Sequence, residues 1–99
     1  MYVIREVLNC KPGKVRQVVE SFRLISATLV EMGRPPMRLM TDVSGEPFWT
    51  LVVETEVERV EDSFELEQAV MKKESVQKGM AGFHEAIIGG RREVYRLEA

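Results

Sequence analysis

Val15 to Gly33 reads VRQVVESFRLISATLVEMG, and Val15, Val18, Phe22, Ile25, Leu29 and Met32 recur there at alternating spacings of three and four. Val19 and Ser26 flank that row. The 3.6-residue period predicts a helix of about five turns with one apolar stripe, and hence a surface for it to lie on. Gly33 is placed to stop it, and Pro35-Pro36 forbid its continuation. Upstream, Tyr2 to Asn9 is short, apolar and rich in β-branched types, which predicts a strand. Cys10-Lys11-Pro12-Gly13-Lys14 separates the two, with the proline suited to a first helical turn.

Downstream the period returns to two. Met37 to Val43 predicts a second strand, Ser44-Gly45-Glu46-Pro47 a turn, and Phe48 to Val57 a third strand. In that third strand Trp49, Leu51, Val53, Thr55 and Val57 share one face, while Phe48, Thr50, Val52, Glu54 and Glu56 share the other. A short loop between consecutive strands predicts an antiparallel hairpin. Asp62, with Glu65 three residues on, reads as a capping box for a second helix carrying Phe64, Met71, Val76, Met80, Phe83 and Ile87. Lys72-Lys73-Glu74-Ser75 interrupts that row, so residues 61–88 are one kinked helix or two, with Ser75 as a possible cap for a restart. Gly89-Gly90 would end it. Arg91 to Glu98 predicts a last strand with Val94 or Tyr95 toward the core.

The order strand, helix, strand, strand, helix, strand predicts an α+β chain. The expected fold is ferredoxin-like βαββαβ: a four-stranded antiparallel sheet with its helices on one face, in one domain spanning residues 1–99. Such a sheet has a second, bare face. If Tyr2, Ile4, Glu6 and Leu8 point to the helices, Val3, Arg5 and Val7 point away, joined by Phe48, Thr50, Val52 and Glu54. That mixture is too apolar to leave in water and too charged for a lone core. Packing it on its own copy about a two-fold axis would bury the apolar atoms and let Arg and Glu pair. The plainer alternative is scattered surface hydrophobes, which are normal.

Composition removes several classes. Sixteen acidic and fourteen basic residues, well mixed, give a net charge of −2 and no basic face, so nucleic acid is not an expected partner. One cysteine, Cys10, cannot close an intramolecular disulfide. No signal peptide or apolar run of membrane-spanning length is read, and a cytoplasmic location is expected. No glycine-rich phosphate loop, dinucleotide fingerprint or Ser/His/Asp order occurs.

The run Tyr2-Val3-Ile4-Arg5-Glu6-Val7, then Lys11-Pro12-Gly13-Lys14-Val15 leading into an amphipathic helix, resembles the start of dimeric α/β-barrel proteins. Within that superfamily it is similar to the NIPSNAP-like and antibiotic-biosynthesis-monooxygenase-like groups, and the remaining elements follow the same order along the whole chain. The resemblance implies a homodimer whose two sheets form a barrel, often with a pocket between sheet and helices. It also implies a range of activities: cofactor-independent monooxygenases, isomerases and haem-degrading monooxygenases. The haem-degrading kind use an asparagine on the first strand and a tryptophan and a histidine on the second helix. His84 matches the histidine in place. Glu6 stands at the asparagine position when the Pro12-Gly13 turns are aligned, and Trp49, the sole tryptophan, falls on a strand, so haem degradation is not expected and no cofactor is assigned.

The candidate site residues follow from chemistry and place. His84 could be a general base or an axial ligand, roles open to imidazole as a side-chain type; a boundary histidine with one hydrogen bond is the plainer use. Glu6, mid-strand on the helix side, must be paired, protonated or beside a pocket, and next to His84 it would make a proton-transfer pair. Trp49 and Tyr95 could line a pocket for a planar ligand together with Met80 and Phe83; core packing is the alternative. Arg5, Arg38, Arg92 and Arg96 are expected to pair with Glu54, Glu56, Glu93 and Glu98 across strands or across a dimer. Cys10 is not expected to act as a nucleophile, and a lone histidine supplies no metal site. Three readings stand: a homodimer binding a small apolar or aromatic molecule between sheet and helices; a cofactor-independent monooxygenase or isomerase of that architecture, acting on a small aromatic or polyketide-like substrate; or a pairing module without ligand, its interior filled by Trp49, Phe64, Phe83 and Tyr95.

Overall fold

The structure is a computed structural model that describes residues 1–45 and 47–99. The predicted turn at Ser44-Gly45-Glu46-Pro47 includes Glu46, which lies outside the described residues. Tyr2–Cys10 forms strand β1 and Val15–Glu31 helix α1. Arg38–Thr41 is β2 and Thr50–Val57 is β3. Val60–Met71, Glu74–Gly79 and Phe83–Ala86 are helices α2, α3 and α4, and Ile87–Arg96 is β4.

The four strands form one sheet in the order β2-β3-β1-β4, every neighbouring pair antiparallel. β1 and β3 are therefore central, and each βαβ crossover spans the strand between its ends. This is the ferredoxin-like arrangement the element order predicts. Its register puts Ile4 opposite Thr55 and Val94, and Glu6 opposite Val53 and Arg92. Alternation then places Ile4, Glu6, Leu8, Leu51, Val53 and Val57 beneath the helices. Val94, not Tyr95, points the same way.

α1 supplies most of the roof. Val18, Val19, Phe22, Ile25 and Leu29 are buried and join Cys10, Leu51, Val53, Val70, Val76 and Ala86 in one cluster. Its C-terminus is closed as the sequence predicts. Gly33 takes φ +79°, the Gly33 N–H donates to Val30 O at 3.0 Å, and the Arg34 N–H donates to Leu29 O at 2.9 Å. That pair of bonds satisfies the carbonyls a helix end leaves free. Two buried hydroxyls are also satisfied: Ser21 donates to Gly79 O at 2.8 Å and Thr28 to Leu24 O at 2.9 Å.

Several local expectations need correcting. Pro12 sits in the turn before α1, which begins only at Val15. The strands β2 and β3 are shorter than expected, because Trp49 adopts φ 63° and breaks the extended path before Thr50. Trp49 and Phe48 therefore precede the strand instead of belonging to its faces. Asp62 lies inside the first turn of α2, whose N-cap is Arg59 without a side-chain cap, so the Asp62/Glu65 box does not form. Residues 61–88 hold three helical pieces. The restart after Lys72-Lys73 begins at Glu74, with Lys73 and not Ser75 at the N-cap position and no side-chain cap. Gly89-Gly90 do not end a helix; both lie within β4, beside an irregularity in its pairing with β1 at Asn9/Cys10.

Candidate functional site: a pocket between sheet and helices

The helices do not seal the sheet. Between α1 and α2 they leave a cavity of about 310 Å³, within the range that accommodates a small molecule. Each wall has its own origin. The middle and C-terminal part of α1 contribute Phe22, Ile25 and Leu29, and the sheet floor contributes Ile4, Glu6, Val53, Thr55 and Val57. α2 faces them with Leu66, Val70 and Met71. The broken end of the second helical segment brings in Met80, Phe83 and His84, and the connector Arg34-Pro35-Pro36-Met37 closes the remaining side. The break after α3 makes this wall possible, since a continuous helix would carry Phe83 away from α1. Instead the Phe83 ring meets Phe22 edge-to-face at 6.0 Å and lies 5.5 Å from the His84 ring.

Four of the six candidate residues meet here. Glu6, His84, Met80 and Phe83 line one cavity. Trp49 and Tyr95 do not line it. Trp49 is 41% exposed at the β2–β3 hairpin, and Tyr95 is on the bare face of the sheet with the Arg5 guanidinium 5.5 Å above its ring. Phe64 is exposed as well, so the interior is not filled by Trp49, Phe64 and Tyr95.

Glu6 is not a free carboxylate. Arg92, its cross-strand neighbour, donates from Nη2 to Glu6 Oε1 at 2.9 Å and to Glu67 Oε2 at 3.4 Å, tying the floor to α2. His84 stands at the exposed rim. The two face the same space and are not hydrogen-bonded to each other among the described residues. Arg34 also lines the cavity, although its position just past a helix stop reads as ordinary surface. Only an assembled fold brings α2 against it. Among the described residues no group of three His, Cys, Asp or Glu side chains is placed to hold a metal, and no helix is long and apolar enough to cross a membrane.

The opposite face of the sheet carries the charge network foreseen in part. Glu54 is buried there, accepting from Arg5 Nε at 2.7 Å and from Arg38 Nη2. Arg91 Nε donates to Glu93 at 2.8 Å, with Arg5 3.9 Å from the same carboxylate. The Arg5 hydrogen bond is the main reason the Glu54 carboxyl is held below its ordinary value, outweighing the desolvation that opposes it, with Arg38 assisting. Arg5 is raised in return. Around this network stand Val3, Val7, Val52, Met40 and Tyr95.

No family model matches the sequence, and no curated protein shows a significant match. Solved structures do share the fold. A NIPSNAP family protein from Agrobacterium tumefaciens superimposes with a TM-score of 0.78 at 13% identity, over 98% of this chain and 86% of that one. An uncharacterized NIPSNAP domain protein from Burkholderia xenovorans gives 0.75 at 13% identity, over 100% and 96%. A Nitrosomonas europaea protein provisionally named an antibiotic biosynthesis monooxygenase gives 0.73 at 13% identity, over the full length of both. Identities this low speak for the fold alone. They agree with the resemblance drawn from the opening strand, turn and helix: the chain has a ferredoxin-like α+β fold, shared with NIPSNAP and antibiotic biosynthesis monooxygenase structures.

Proposed function

We propose that the chain is a small-molecule-binding protein that works as a homodimer, holding an apolar or aromatic ligand in the pocket between sheet and helices. The cavity of about 310 Å³ carries this reading. A chain of this size keeps few empty spaces without a use, because close packing is the default state of interiors. The walls supply aliphatic and aromatic surface, with polar groups confined to a few points, which is the usual make-up of a ligand site. Met71 and Met80 add adaptable surface suited to a ligand of irregular outline. A reducing, cytoplasmic setting suits the buried free thiol of Cys10.

The test is titration with N-phenyl-1-naphthylamine, a neutral dye that brightens in apolar surroundings. Saturable binding at one dye per chain is expected, and Leu66→Trp, which fills the cavity, should abolish it. Absence of saturation, or binding untouched by Leu66→Trp, contradicts the reading.

A second reading is favoured by one observation, that Glu6 and His84 line the same cavity. Here the pocket is the active site of a cofactor-independent monooxygenase or isomerase, with Glu6 and His84 exchanging protons with the bound substrate. Its signature is a bell-shaped pH–rate profile that His84→Ala removes.

A further inference from the structure

Arg34 is held in place from both sides. Its N–H caps α1 through Leu29 O at 2.9 Å, and Pro35-Pro36 stiffen the chain as far as Met37, whose N–H donates to Ser26 Oγ at 2.9 Å. The side chain lies between the ligand cavity and a shallow hollow it shares with Asp62, Glu65 and Leu66. Its Nε is buried, and no described residue accepts from it. Nor does Arg34 enter any ion pair among the described residues, Asp62 and Glu65 included. A guanidinium stays charged at every physiological pH, so a buried donor on it without an acceptor is costly and calls for one. The acids of the cavity do not meet that need: Glu6 and Glu67 are both turned to Arg92, and Glu56, also on the lining, forms no ion pair with Arg34.

We infer that the ligand is an apolar carboxylic acid whose carboxylate is anchored by Arg34, its hydrocarbon or aromatic body lying against Phe22, Ile25, Leu29 and Val70. This rests on the binding reading above and names the chemical class that the pocket takes. A carboxylate accepts from Nε–H and a neighbouring Nη–H of one guanidinium in parallel, filling the vacant acceptor position directly. A single negative charge also matches a single unpaired arginine. A doubly charged phosphate ester would face the acids Glu6, Glu56 and Glu67 of the lining with only Arg34 free to offset it.

The experiment is calorimetric titration of the full chain with 2-naphthoic acid and with its neutral isostere 2-naphthamide, at pH 7.5, in wild type, Arg34→Gln and Leu66→Trp. The acid is expected to bind wild type about tenfold tighter than the amide, the worth of a charge-assisted hydrogen bond. Arg34→Gln should bring the acid down to the amide's affinity while leaving the amide unchanged, and Leu66→Trp should abolish both. The melting temperature of ligand-free Arg34→Gln should be no lower than that of wild type, since a frustrated donor has been removed. Equal affinities in wild type, or a preference for the acid that survives in Arg34→Gln, overturn the carboxylate inference and leave the pocket reading standing. If neither compound binds, both readings fail.

Discussion

Glu54 sits 6% exposed on the face of the sheet that no helix covers, which is an expensive place for a carboxylate unless its charge is matched. Arg5 and Arg38 match it from the two flanking strands. Because the folded chain holds this carboxyl below the ordinary glutamate value of 4.5, it binds the proton more weakly than the unfolded chain does. The resulting stabilisation is complete above the unfolded value and is lost as pH falls through the lower folded one. Both arginines are partly solvated, so the pair is worth about 1 kcal/mol, near 5 °C in melting temperature for a chain this small. Glu54→Gln should lose that margin at pH 7, and its deficit against wild type should shrink progressively as pH falls below 4.5. A deficit that stays constant with pH would show that the charge is not what Glu54 contributes. Glu93, lowered chiefly by its hydrogen bond from Arg91, acts in the same direction.

Elements differ in how openly their residues declare them. α1 is announced by its apolar row, and Gly33 by a stop that only a left-handed residue completes. Glu6 could be read as a pocket candidate from strand register, Met80 and Phe83 from the helical period, and His84 from being the only histidine, beside that apolar row and in the place the resemblance gives one. Trp49 could not be read, since nothing in a tryptophan signals positive φ; alternation carried it into a strand it does not join. Arg34 was equally silent, its meaning arising only once α2 packs beside it. The pair Gly89-Gly90 misleads for a physical reason: glycine marks helix ends, but it also marks close backbone approach within sheets. A Cβ on Gly90 would stand 2.5 Å from the Val7 carbonyl oxygen, whereas one on Gly89 meets nothing within 4 Å. Gly90→Ala should therefore destabilise the chain by about 1–3 kcal/mol, the usual range for overpacking, and Gly89→Ala by less than about 0.5 kcal/mol. Denaturant melts of the two variants check this; equal effects would mean that β4 does not pair with β1 in this register.

At the scale of the molecule, the two faces of the sheet set the proposed function. One is roofed and hollow; the other presents Val3, Val52, Met40 and Tyr95 around a balanced set of charges, with Val7 already buried among them. A homodimer formed on that second face would bury the apolar side chains, and Arg5, Arg38 and Arg91, set against Glu54, Glu56 and Glu93, would present little unbalanced charge to a copy. Light scattering during size-exclusion chromatography should return twice the 11.3 kDa chain mass, and Val52→Arg should return the single chain. A wild-type species of one chain mass at about 50 μM would remove the dimer and leave the pocket untouched.

The pocket itself is tested most directly by methyl NMR of the wild-type chain titrated with N-phenyl-1-naphthylamine. Saturating shifts are expected at the methyls of Ile25, Leu29, Leu66, Val70 and Met80, which line the cavity, with Val3 and Val52 unmoved. Shifts centred on Val3 and Val52, or none that saturate, would contradict the pocket reading.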